Sequence, residues 1–298
     1  MMLNPDYLLM DSQDKIMDDI VSARLKKLCG NPTNINFQYS SGQTLLMLTL
    51  EDEHPDLCII KAILKRPEIN VNLYDMGGNN ALHYSLRQSY HDMIYKICKL
   101  LIKHGIDINR VGAKSYTPLM LATRISLEVV NLLLNQPQIN VNLQTCKYFG
   151  GTAFYHAMHS ACKSRLDICR ALIAAGFNVN LQDMYCRNIL MQCIRWECYE
   201  LCHCNWRNQN SPLQERQEYI QIIEMLLEAG ADTFSRDRTG GDALHYATQR
   251  QDREVMQTII RHRLVTAIKA AVSATNNYFA VLPRDIREYI VLFSFFDL

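Results

Sequence analysis

Glycine and proline are scarce in this sequence, 12 and 8 of 298 residues. So few glycines leave little material for a phosphate-cradling loop, and the chain has no glycine-rich nucleotide signature, nucleophile elbow, HExxH helix or paired-carboxylate motif. An excess of one charge is also missing, since 31 Lys+Arg stand against 30 Asp+Glu for a net charge of +1. A general nucleic-acid binder needs surplus cations to displace phosphate counterions, so this balance argues against one. No apolar run approaches the roughly eighteen residues that suggest a membrane span. The first twenty residues hold five aspartates and a single cation, Lys15, which is the wrong pattern for a secretory or transit leader. Eleven cysteines, an odd and scattered set, fit free thiols in a reducing compartment better than a disulfide framework. With 48% hydrophobic and 20% charged residues the chain can bury a core. The expectation is a cytoplasmic protein with no membrane segment, no nucleic-acid partner and no cofactor.

What the sequence does contain is a repeat. Thr44-Leu45-Leu46-Met47, Asn80-Ala81-Leu82-His83, Thr117-Pro118-Leu119-Met120, Thr152-Ala153-Phe154-Tyr155, Asn188-Ile189-Leu190-Met191 and Asp242-Ala243-Leu244-His245 share one pattern. Their first residues lie 36, 37, 35, 36 and 54 apart, so the last interval is one period plus 18 residues. A period in this range signals a stacked array and overrides local readings. Each copy opens on Thr, Asn or Asp, side chains that cap a helix by accepting a free backbone N–H. Pro118 occupies a first helical position, where its missing donor costs nothing. A second apolar helix follows, ending at Gly105, Gly176 or Gly230, or broken at Pro67 and Pro137. A short link rich in Ile, Val and Asn closes the copy, as in Ile69-Asn70-Val71-Asn72.

Helix, turn, helix and hairpin-like link, six times in register, resembles the ankyrin repeat. His83 and His245 stand where that family has the histidine of its Thr-Pro-Leu-His motif, and Met47, Met120, Tyr155 and Met191 replace it elsewhere. The resemblance covers residues 36–262 and implies an all-α ankyrin-repeat solenoid of about six repeats. N- and C-terminal capping helices at 1–35 and 263–298 would close it, because each repeat buries its apolar face only against neighbours. The family binds proteins through its hairpin tips and the concave face of its first helices. Counting from each cap, the tips carry Met76, Tyr148, Phe149, Met184, Tyr185 and Arg238. Methionine and aromatics on a rigid surface are interface anchors; packing against neighbouring tips is the alternative role. The histidines on first helices belong to different repeats and have no nucleophile beside them, so hydrogen bonding between repeats is the reading and no catalytic residue is expected.

Two segments fall outside the period. An insertion at about 196–214, between the two helices of the fifth repeat, holds Cys198, Cys202, His203, Cys204 and both tryptophans. Adjacent ligands would strain one zinc tetrahedron, so no metal site is expected there. The C-terminal tail places Ile286, Tyr289, Ile290, Phe293 and Phe296 at helical spacing behind Pro283. Its Leu282-Pro283-x-x-Ile286-x-x-Tyr289-Ile290 string is similar to the end of a SOCS box. Leu264 and Ile268 match the helix that contacts elongin C in that family, although Ile268 replaces the expected cysteine. The tail also resembles the truncated F-box-like (PRANC) tail of poxvirus and bacterial ankyrin proteins, which recruits a Skp-type adaptor. Either resemblance implies a substrate receptor for a cullin-type ubiquitin ligase; separately, a monomer is expected. The alternative is a pathogen effector in host cytoplasm, or a plain ankyrin module, that occupies a partner and recruits nothing.

Overall fold

A computed structural model of the chain describes residues 15–24, 26–27, 33–52, 54–87, 91–145, 151–160, 162–195 and 212–274. Among these, all regular structure is helical. Helix α1 covers 15–24. Six helix pairs follow: α2 (Leu45–Glu51) with α3 (Leu57–Lys65), α4 (Ala81–Ser85) with α5 (His91–Lys103), α6 (Pro118–Ala122) with α7 (Leu127–Leu134), α8 (Ala153–Met158) with α9 (Arg165–Ala174), α10 (Ile189–Arg195) with α11 (Pro212–Glu228), and α12 (Ala243–Gln249) with α13 (Arg253–Ala274). The chain divides into two compact units, Met1–Phe177 and Asn178–Leu298.

Each first helix starts where its cap dictates. Thr44, Asn80, Thr117, Thr152, Asn188 and Asp242 accept from the backbone N–H three residues on, at 3.4, 3.3, 3.3, 3.2, 3.0 and 2.8 Å. That contact satisfies one of the donors a helix N-terminus leaves free. The longer second helices α5, α9 and α11 end at Gly105, Gly176 and Gly230, all at positive φ, a conformation that costs glycine nothing.

Packing follows from the apolar stripes. On α5, Ile94, Ile97, Cys98 and Leu101 recur at helical spacing and are fully buried. In the N-terminal unit α4 lies against α2 and α6, and α6 against α8, while α5, α7 and α9 form the second row. Phe154 stacks on Phe177 with ring centroids 5.1 Å apart. In the C-terminal unit α10 contacts α11 and α12, and α13 contacts α11 and α12. Arg216 of α11 clamps α13 there, bidentate to Asp252 at 2.6 Å and reaching Glu254 at 2.9 Å.

Polar side chains join successive repeats. Asn72 donates to Gly105 O at 3.0 Å and accepts from Asp107 N at 2.7 Å. Asn36 bridges Glu68 O and Asn70 N in the same way, and Asn109 bridges Gln138 O and Asn140 N. Asn180 repeats the device in the C-terminal unit, from Gly230 O to Asp232 N. The asparagines of the links thus carry the backbone bonds that a strand would otherwise supply. One expected edge moves: α13 runs unbroken from Arg253 to Ala274, so a boundary at 262/263 falls inside the second helix of the last repeat. The insertion of the fifth repeat lies outside the described residues from 196 to 211.

Candidate protein-binding surface

Three of the links are narrow hairpin turns built around an aspartate. Asp75, Asp183 and Asp237 each donate their backbone N–H to the carbonyl four residues on, at 2.9 Å, closing the turn. Asp75 also accepts from Asn79 N, Asn79 Nδ2 and Tyr84 Oη at 2.7 to 2.8 Å. Asp237 accepts from Thr239 N and Oγ1, Gly241 N and Tyr246 Oη. Burial works to raise both carboxyls, but these donors outweigh it. Asp75 is held below the ordinary carboxylate value and Asp237 at about 2. Asp183 is paired with Arg187, whose guanidinium lies 2.7 Å away in a buried ion pair. The tips are therefore rigid, and their acids are spent on the turn itself.

Rigid turns push their tip residues outward. Met76 is 83% exposed, Met184 48% and Tyr185 38%; Arg238 is exposed and its N–H donates to Tyr185 O at 3.0 Å. Tyr148 and Phe149 lie outside the described residues. Sequence reasoning missed further exposed apolar groups in the same hairpins: Tyr39, Tyr74 and Val111 in the N-terminal unit and Phe234 in the C-terminal one. Tyr74 precedes the tip residue Met76 by two positions, and in an extended link that spacing returns a side chain to the same side. That was the available signal. Arg110 lies over the Tyr74 ring at 3.6 Å, and Arg263 over Phe234 at 4.2 Å, both within cation–π range.

His83 is buried with Nδ1 2.7 Å from Asn80 Oδ1 and Nε2 3.2 Å from Tyr116 O of the following repeat. Burial lowers its pKa to about 4, that of His156 to about 3 and that of His159 to about 4, so all three are neutral at pH 7. His245 is exposed, its Nε2 3.0 Å from Gln249 Nε2. Among the described residues no three His, Cys, Asp or Glu side chains group as metal ligands; Cys198, Cys202, His203 and Cys204 lie outside them. Of the tail positions, Leu264 and Ile268 sit half-buried on α13, while Leu282, Pro283, Ile286, Tyr289 and Ile290 are outside the described residues. No described helix is long and apolar enough to cross a membrane.

Comparison with known proteins agrees with this geometry. Residues 21–112 match the family profile described as ankyrin repeats, in three copies. The ankyrin-repeat domain of Bcl-3 superposes on 84% of this chain and 97% of its own at a TM-score of 0.59, with 16% identity. The fold is an ankyrin-repeat solenoid. An ankyrin repeat domain from Acinetobacter baumannii AYE covers 73% of the chain and 97% of its own, with a TM-score of 0.57 and 24% identity. In sequence the chain is similar to an ankyrin repeat protein of Variola virus, OPG189, at 23% identity over 118 residues, which is 39% of this chain. The match spans only 20% of that viral protein. Ankyrin repeats are a protein-interaction fold, and among the described residues most of the exposed large apolar side chains lie in the hairpins, with Ile16 and Val265 on helices.

Proposed function

We propose that the chain is a non-enzymatic scaffold that binds a protein through its hairpin tips and hands that protein to a cullin-type ubiquitin ligase. Met76 carries the first half of this reading. A methionine 83% exposed on a turn pinned by hydrogen bonds is an adaptable anchor on a preorganised surface. Met184, Tyr185 and Arg238 offer the same chemistry in the C-terminal unit, with Tyr148 and Phe149 as further tip candidates. The second half rests on the tail resemblance, in which Leu264, Ile268, Leu282, Pro283, Ile286, Tyr289 and Ile290 would contact elongin C or a Skp-type adaptor.

The test compares the full chain with a chain ending at Ala280, co-expressed in eukaryotic cells and analysed by mass spectrometry. The expected result is that the full chain alone retains an adaptor and a cullin, while both retain the substrate. If the shortened chain melts like the full one and keeps every partner, the ligase role falls and the scaffold role stands. A second reading, an effector that occupies a partner and recruits nothing, is favoured by the likeness to a Variola virus ankyrin protein. It requires that neither form retain a ligase subunit.

A further inference from the structure

Within the N-terminal unit, successive hairpins form one continuous strip. Met76 N donates to Ser41 O at 2.9 Å, and Ala113 N donates to Asn79 Oδ1 at 2.9 Å. A Cβ placed on Gly78 would stand only 3.1 Å from Val111 O. The exposed side chains of Tyr74, Met76 and Val111 therefore belong to neighbouring turns in direct contact.

Two guanidiniums meet this strip at consecutive residues. Arg110 Nε donates to Gly78 O at 3.3 Å, and Arg87 Nη2 donates to Asn79 Oδ1 at 2.7 Å. Both acceptors are neutral amide oxygens. Arg66, Arg170, Arg187, Arg216 and Arg263 each face a carboxylate within 4.0 Å; Arg87 and Arg110, like several other arginines, form no ion pair among the described residues. Asp75, the acid of the same turn, has both oxygens engaged by Asn79 and Tyr84. Arg87 and Arg110 thus place two guanidiniums on one turn, beside the exposed apolar side chains of Met76 and Val111.

We propose that this strip binds an acidic peptide segment of a partner protein, its carboxylates paired with Arg87 and Arg110 and an apolar side chain laid over Met76 and Val111. The inference rests on the protein-binding reading above and names the chemistry of the partner. Guanidiniums recognise carboxylates through two parallel N–H bonds, and desolvation by adjacent apolar contacts strengthens such pairs. A nucleic acid fits less well, because the strip offers two cations rather than a row, and a methionine and a valine where phosphates would lie.

The experiment pans a phage-displayed library of random dodecapeptides on the full chain and measures the enriched peptides by fluorescence polarisation. Enrichment of Asp or Glu beside Leu, Phe or Trp is expected. Affinity should fall about tenfold or more in the Arg87→Glu/Arg110→Glu double variant and weaken as salt is added. Met76→Asp guards against a folding artefact, since that side chain is almost wholly in solvent, and should also weaken binding. Peptides without acids, or acidic peptides whose affinity neither variant changes, overturn the proposal. If those peptides lose affinity in Tyr185→Ala instead, protein binding stands and only the acidic site falls. Failure to enrich any peptide above panning on the double variant overturns it as well, while the mass-spectrometric comparison reports on the broader reading independently. Tighter, Arg87-dependent binding of a mixed single-stranded oligonucleotide would likewise sink it.

Discussion

Single residues in this chain behave as their burial dictates. Cys98 lies fully buried on α5 with Sγ 3.6 Å from Ser85 Oγ, and burial pushes its thiol up to about 12. Cys58, at the start of α3, is exposed. Only thiolate reacts, so Cys58 should be labelled by a thiol reagent in the native protein at pH 8, and Cys98 only after denaturant is added. Mass mapping of labelled peptides checks this; early labelling of Cys98 would show that α5 opens locally. The tip residues obey the same logic in reverse. Met76 is exposed on a turn whose polar groups are occupied by Asp75 and Asn79.

At the scale of elements, stability sits in the joints between repeats as much as in the helices. Asn72 makes two hydrogen bonds to the next repeat, whereas Thr117 caps only its own helix. Each such bond contributes roughly 0.5–1.5 kcal/mol net, and a cap about 1 kcal/mol. Asn72→Ala should therefore destabilise by about 1–3 kcal/mol, more than Thr117→Ala, in urea denaturation followed by circular dichroism. Equal or reversed losses would mean that the ladder is solvated rather than structural. The helix starts were legible in the sequence because one capping residue recurs at a fixed period. The ladder was not, since nothing in an Asn-rich link says which backbone group its side chain will meet one repeat away.

The molecule as a whole stores an acid sensitivity. His83, His156 and His159 have folded pKa values of about 4, 3 and 4, below the ordinary 6.5. The unfolded chain thus binds more protons between those values, and stability is lost as pH falls from about 6.5 towards 4. At pH 5 the loss is on the order of 2 kcal/mol for each histidine. The carboxyls of Asp75, Asp237, Asp242 and Asp252 are shifted down as well, and withdraw their contribution only below about pH 4. The melting temperature should therefore drop in two stages, the first between pH 6.5 and 4.5. His83→Gln should flatten part of that first stage; a melting temperature unchanged between pH 7.5 and 5 would contradict the burial of these rings.

The primary structure alone determined the repeat, its helices and caps, the positions of the tips and the glycines that end the long helices. All of these follow from local rules: a capping side chain reaches three residues, and an apolar stripe repeats every three or four. Tertiary structure decided what lies between repeats. It brought Arg87 and Arg110, 23 positions apart in the chain, to adjacent residues of one turn. It buried His83 but left its counterpart His245 exposed, and it ran α13 past the expected edge of the array. Those outcomes depend on which surface each repeat meets, a property of the stacked neighbours and not of any segment's own sequence.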